Sequence, residues 1–424
     1  MTWQRSLLVA LLAGVNLLAA FFYQWYIAAA LGPSAATDAC YAAMAIPQWI
    51  VSVVNGSLTQ VLLPLFANGA REDVPTLIWL FLAWIAKIFL GLTLLLLLTS
   101  AYWTPVLFPG FGGDTQQLAI ALVRIQLLGV LCTGLTSVLW AAHFAAKRFV
   151  TVEISALCAN VVGLTILVLG LDHFGVMLTA WGMVIKTCLE TALLFPIAGR
   201  YRKPAAGQTV HRTAWQRLKP LLLGASYYKT DLLVDRFLSS MSRVGDLTTL
   251  HLAQQIVLAA NAVVGKALCV PITPDLARHA HQNDWIHYWR LVARRLLWVG
   301  GLMGLSYFLL WSIGLPLLRL LFQSQRFDLP AITQLWQMLL LLFGVWLGGA
   351  LGQILAAGFY AIGETRTPTR IGVIGFTLGI ALKVAGFYYA GVYGLALGTT
   401  IYYLMNAAVM HGALWRHIRR LWST

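Results

Sequence analysis

The chain has 424 residues, of which 60% are hydrophobic and only 10% charged, with a mean hydropathy of +0.78. A soluble domain carries about 25% charged residues, so a water-exposed surface and a soluble catalytic domain are excluded and the bilayer must be the solvent for most of the chain. The formal net charge of +15 fits nucleic acid, anionic lipid or membrane topology, and the positions of the charges decide between them.

A membrane-crossing helix needs about 20 mostly apolar residues. Runs of that kind predict twelve spans, at 6–30, 38–66, 77–103, 115–143, 149–171, 175–199, 215–241, 247–273, 289–319, 331–361, 368–389 and 392–415. The first is too long for a signal-peptide core and no cleavage site follows it. One set of connections carries Arg5, Arg71, Lys147, Arg148, Arg200, Arg202, Lys203, Arg278, Arg290, Arg366 and the tail Arg416, Arg419 and Arg420. The alternate set carries little beyond Arg243 and Arg326. Lys and Arg concentrate on the cytoplasmic side, so both termini are expected in the cytoplasm, and the positive charge is explained without a nucleic-acid partner. The five cysteines, Cys40, Cys132, Cys158, Cys188 and Cys269, sit in apolar runs without CxxC spacing and read as small buried hydrophobes.

The connection at 204–214 divides an expected N-terminal six-helix lobe (1–203) from a C-terminal six-helix lobe (215–424). The halves look alike. Asp38 opens a span that ends in QVLLPLFANGARED, and Asp246 opens one that ends in KALCVPITPDLARHAHQND, with similar Asp-to-Pro spacing. Parallel repeats of this kind are a common transporter plan, with the substrate path between lobes that rock.

Ionisable groups inside spans cost at least about 2.5–3.5 kcal/mol each at a helix centre, which makes them candidates for function. The cations are Lys87, Arg124, Lys186, Lys229, Lys266 and Lys383. Asp231 and Asp235 are four apart and share a face; Asp235 and Arg236 lie near the end of their span. Lys186 and Glu190, also four apart, are spaced for an intrahelical pair. Asp38 stands where a carboxylate caps a helix N-terminus.

Four stretches carry a resemblance: IAAALGPSAATDACYAAMAIP, GSLTQVLLPLF, the run from LLVDRFLSSMSRVGDLTTLHLAQQIV to PITPDLAR, and GFYAIGETRTPTRIGV. In order and spacing they resemble the MurJ/MviN family of lipid-linked glycan flippases, within the MOP superfamily. The resemblance implies an all-α, MATE-like membrane fold in a bacterial cytoplasmic membrane and alternating access without a cofactor. It also implies a polyprenyl-diphosphate-linked saccharide as substrate, with membrane lipids and other cell-envelope biosynthesis proteins as partners. Members that move the peptidoglycan precursor lipid II carry cavity arginines in helices one, two and eight. Here the matching stretches read FFYQWY, PQWIVSVVNG and LAQQIV, and twelve spans replace the usual fourteen. These departures point to another lipid-linked saccharide, such as an exopolysaccharide unit.

For such a substrate, Arg124, Lys186, Lys229, Lys266 and Lys383 are the expected phosphate-binding groups, and Gln24, Gln254 and Gln255 would contact sugar. Asp38, Asp231, Asp235, Arg236 and Glu190 are the expected coupling or gating residues. Relatives hold a coupling cation with acids and amides in the second lobe. The eleventh span here has Lys383 instead, so its ammonium is expected to replace that cation near Asp231 or Asp235, leaving proton or membrane-potential coupling. No GxxxxGK[ST], HExxH or GxSxG motif is present, which removes an ATP-binding loop and familiar hydrolytic centres. The rival readings are a MATE-type cation-coupled antiporter, a membrane glycosyltransferase or polymerase, and a non-transporting scaffold. Short outer connections disfavour the enzymes, and the buried cations disfavour a cationic drug.

Overall fold

The computed structural model describes residues 3–68, 74–201, 210–265, 272–323 and 326–422. Among them the regular elements are all helical. The first unit of the chain, Met1–Gly245, contains α1 (Trp3–Leu31), α2 (Ala35–Ala43), α3 (Ala45–Asn68), α4 (Val74–Leu107), α5 (Gly113–Ala145), α6 (Phe149–Phe174), α7 (Met177–Leu194), α8 (Val210–Lys229) and α9 (Asp231–Ser240). The second unit, Asp246–Thr424, contains α10 (Asp246–Val264), α11 (Ile272–His281), α12 (Trp285–Phe322), α13 (Leu329–Leu341), α14 (Phe343–Ala361) and α15 (Arg366–Trp422).

Ten stretches are long and apolar enough to cross a membrane. One of them, α15, is two helices joined at Ala390 and Gly391, where Gly391 adopts φ +56°. The tract α8–α9 is too rich in charge to stand among the ten, carrying Arg212, Arg217, Lys219, Lys229, Asp231, Asp235 and Arg236. With it and the divided α15, the chain has twelve spans. Several predicted spans are broken helices. The second divides at Met44. Pro47, three residues on, has no N–H to donate back toward Ala43, which weakens the helix there.

In the first unit α5 is central, packing on α3, α4 and α7. Small residues allow this: a Cβ on Gly134 would stand 2.6 Å from the Phe89 ring. Lipid tails are as apolar as leucine, so such close packing, rather than water exclusion, joins helices in a bilayer. In the second unit Tyr288, Val292 and Val299 of α12 meet Ile354 and Phe359 of α14 and Leu414 of α15. The Tyr288 hydroxyl donates to the Gly358 carbonyl. The two halves of α15 form an antiparallel hairpin so close that a Cβ on Gly394 would lie 1.8 Å from the Gly386 carbonyl oxygen.

The cysteine expectation needs correction. Cys40 is buried, but Cys158 and Cys188 are exposed on their helices. Outward-facing thiols are tolerated there because the surrounding medium is itself apolar. Cys269 lies outside the described residues.

Candidate functional site

Two polar groupings stand out in the spans. The first lies where α1 turns into α2. Ser34, not Asp38, is the N-cap of α2, accepting from the Thr37 amide at 3.3 Å. Asp38 sits a turn further in and is 4% exposed. Its Oδ2 accepts from the Gly245 amide at 2.6 Å; Gly245 holds φ +91°, a conformation that favours glycine. Asp235 and Arg236 of α9 are buried as well, at 4% and 1% exposure. The Arg236 charge interacts with Asp235, Tyr41 and Asp38. A small cavity of about 40 Å³ beside them is lined by Asp38, Thr115, Ser239, Ser242 and Arg243. Asp38, Asp235 and Arg236, separate in sequence, are thus one cluster. Asp231, one turn before Asp235, is half-buried, and Lys229 is exposed at the break between α8 and α9.

The second grouping joins α1, α6 and α7. Lys186 and Glu190 share a face of α7, but they do not close into an ion pair. The Lys186 Nζ instead stands 5.3 Å from the centroid of the Tyr23 ring, a distance suited to a cation–π contact. Gly163 makes room for it: a Cβ there would lie 3.2 Å from Tyr23 Cε2 and 3.6 Å from Lys186 Cβ. The Tyr23 hydroxyl donates to the Thr179 carbonyl at 3.3 Å. Alongside, Asn160 Nδ2 donates to Asn16 Oδ1, and Asn16 Nδ2 donates to Glu153 Oε2 at 3.4 Å. Glu153 acts electrostatically on Glu190. Asn16, Tyr23, Glu153 and Asn160 were missed in the sequence. The available signal was spacing, since each helix carries its two polar residues seven apart, on one face.

The remaining candidates are dispersed. Arg124 is exposed, and its Nε donates to Ser100 Oγ at 2.9 Å. Lys87 is exposed on α4, and Gln24 of α1 is half-buried with Oε1 unpartnered. In the second unit Gln254 and Gln255 are half-buried on α10, and Lys383 is fully buried at 0% exposure. Gly398 lets the other half of α15 approach Lys383, since a Cβ there would be 3.1 Å from Lys383 Cα. Asp246, at the start of α10, accepts from Gln334 Nε2. Lys266 lies outside the described residues. Away from the spans, Asp284 caps α12, accepting from the His287 amide at 3.2 Å and pairing with His287 Nδ1 at 2.9 Å.

The family model described as lipid II flippase MurJ matches residues 27–423. The chain belongs to the MurJ family. A probable lipid II flippase MurJ of Rhizobium tropici is 23% identical over 425 residues, covering 95% of this chain and 79% of that relative. The structure of a lipid II flippase MurJ in an inward closed conformation superposes with a TM-score of 0.82 at 15% identity, covering 98% of this chain and 90% of that one. An inward-facing multidrug resistance MATE transporter of the MOP superfamily matches at a TM-score of 0.82 and 12% identity, covering 97% of this chain and 96% of that one. The fold is therefore the all-α MOP fold. The family is one of multi-pass membrane flippases of lipid-linked precursors, a class of transporters and not of enzymes.

Proposed function

We propose that this protein moves a polyprenyl-diphosphate-linked saccharide across the bacterial cytoplasmic membrane by alternating access of two lobes, with both termini in the cytoplasm. The observation that carries this reading is the family match across residues 27–423. The chemistry of the spans supports it. A fully buried lysine, Lys383, is costly in a bilayer and suits a path for an anionic diphosphate. Lys186 and Lys229 are the further cations for that path, with Gln24, Gln254 and Gln255 contacting sugar. Glutamines or neutral residues stand where the resemblance implies cavity arginines, which favours a lipid-linked saccharide other than lipid II, such as an exopolysaccharide unit. Asp38, Asp235 and Arg236 form the gate, and Lys383 occupies the role of a coupling metal cation, so transport does not need sodium.

The test is flipping of fluorescent polyprenyl-diphosphate saccharides in proteoliposomes, with lipid II among them, comparing the unaltered protein with Lys229→Ala. Movement that weakens in the variant supports the reading. Movement of lipid II itself removes the substrate refinement. Stimulation by sodium removes the role given to Lys383. Absence of movement with folded protein favours an antiporter of MATE type.

A further inference from the structure

One face of α12, in the second unit, joins cations to an apolar groove. The side of α12 that meets the core carries Tyr288, Val292, Val299 and Met303, all buried. With 3.6 residues per turn, the far side carries His287, Arg290, Arg294, Trp298, Gly301 and Leu305, all exposed. The six lie in one line along the helix. On the same side Leu297, Trp298, Gly301, Leu302 and Leu305 line a groove of about 440 Å³. Gly301 stands between the larger side chains, and a Cβ there would meet nothing within 4 Å. The missing side chain is what leaves this stretch concave.

Length and charge say what fits this face. The 38 residues of α12 extend about 57 Å at 1.5 Å per residue, against a hydrocarbon layer of about 30 Å. The first turns, with His287, Arg290 and Arg294, therefore suit the headgroup level, and the groove begins within a turn of Arg294 on the hydrocarbon side. Among the described residues the ion pairs join Arg278 to Asp275, and Asp284 to His279 and His287. Arg290 and Arg294 have no carboxylate. Snorkelling alone would put arginines on any side of the helix at this level, whereas both stand in line with the groove. Arginine binds phosphate in forked geometry, so two guanidiniums a turn apart suit two adjacent phosphate groups. The groove from Leu297 to Leu305 is about 12 Å long and suits one chain. A phospholipid with one phosphate and two chains would leave one guanidinium and one chain unmatched. A diphosphate on a single chain leaves neither.

We propose that this face of α12 is a docking site for the polyprenyl diphosphate part of the substrate, with Arg290 and Arg294 on the diphosphate and the groove from Leu297 to Leu305 on the first isoprenoid units. The site reads the lipid carrier and not the sugar, so it accepts the same carrier whatever saccharide it bears. With the termini in the cytoplasm, Arg290 and Arg294 lie at the cytoplasmic leaflet, from which an outward-moving flippase takes its substrate. The identity of the occupant rests on the flippase reading, whereas binding of the carrier is measured without transport.

The experiment photolabels the full chain in phosphatidylcholine nanodiscs with farnesyl diphosphate that carries a diazirine on its chain, and maps the label by peptide mass spectrometry. The label should fall within residues 297–305. Gly301→Leu places a side chain in the groove where nothing else stands and should remove that label. Arg290→Gln combined with Arg294→Gln should raise the probe concentration for half-maximal labelling about tenfold, the scale of losing a charge-assisted hydrogen bond. All three residues face away from the core, so the variants should melt with the unaltered protein. Label elsewhere in the chain overturns the proposal, as does equal labelling of α12 by the matching diazirine farnesol, which lacks the charge. Displacement of the probe by phosphatidylglycerol as readily as by unlabelled farnesyl diphosphate overturns it in favour of a general anionic-lipid site. Docking as expected without flipping of any lipid-linked saccharide removes the transport reading alone. Flipping that Gly301→Leu leaves unchanged, with no label on α12, removes the docking site alone.

Discussion

Two charged clusters of the first unit differ in how their charges are met. At the turn into α2, Asp38 and Asp235 are matched by Arg236 and by Arg243 beside the same cavity. Asp38 also takes a backbone amide. Between α1, α6 and α7, Lys186 and Glu190 share a helix face without closing into an ion pair, and the Lys186 ammonium lies over the Tyr23 ring instead. A cluster neutralised by the protein's own cations can hold one geometry, as a gate requires. Composition alone does not separate these cases; both are acids and bases in spans.

The balanced cluster should be the more sensitive to deletion. Arg236→Ala removes one of the two cations that match Asp38 and Asp235 and should destabilise the protein by about 3–5 kcal/mol, the usual cost of removing one partner of a buried pair. Combining Arg236→Met with Asp235→Asn should recover much of this loss. Thermal unfolding in detergent reads both. Equal melting temperatures for the single and double variants would show that packing of the arginine stem, rather than charge balance, sets the cost.

The α15 hairpin supplies a contrast without charge. Gly394→Ala would drive a methyl into the Gly386 carbonyl at 1.8 Å, and overpacking of this kind costs about 3 kcal/mol when the backbone cannot yield. The clash at Gly163 is milder, since the nearest atom is a side-chain ring carbon at 3.2 Å. Gly163→Ala should cost about 1 kcal/mol and push the Tyr23 ring from the Lys186 ammonium. Thermal unfolding in detergent reads this cost. An unchanged melting temperature would show that the Tyr23 ring moves aside without loss of packing.

Much of the fold was legible because a bilayer imposes one strong rule. Apolar runs of sufficient length become helices, and the predicted 149–171 and 331–361 appear as α6 and as α13 with α14. The predicted 215–241 appears as α8–α9, although its charges keep it out of the ten most apolar stretches. The clusters were less legible. Local spacing made Lys186 and Glu190 look like a pair, while the actual partner of Lys186 is Tyr23, more than 160 residues away in sequence. The cap at Ser34 was missed for a related reason. A carboxylate near a helix start suggests capping, but Ser34 reaches the Thr37 amide, leaving Asp38 free to accept from Gly245. Pairings across 137 or 207 residues depend on which helix faces come together, and one span's periodicity does not carry that information.

The smallest expected effect lies outside the membrane. The His287 side chain and backbone amide hold the Asp284 carboxyl below its usual range. A carboxyl whose folded value is depressed contributes stability that is present above its unfolded value, about pH 3.9, and is lost as pH falls through the lower folded value. Asp284→Asn keeps a side chain able to cap α12 but removes the charge. The melting temperatures of the two proteins should therefore differ slightly at pH 6 and converge under acid conditions, once Asp284 is protonated. The carboxyl is exposed, so solvent and salt screen the interaction, and the difference should shrink further at high ionic strength. A difference that persists in acid would assign the effect to cap geometry instead of charge. In that case the end of α12 would be held as Ser34 holds α2, by an oxygen in the right place, with the charge incidental.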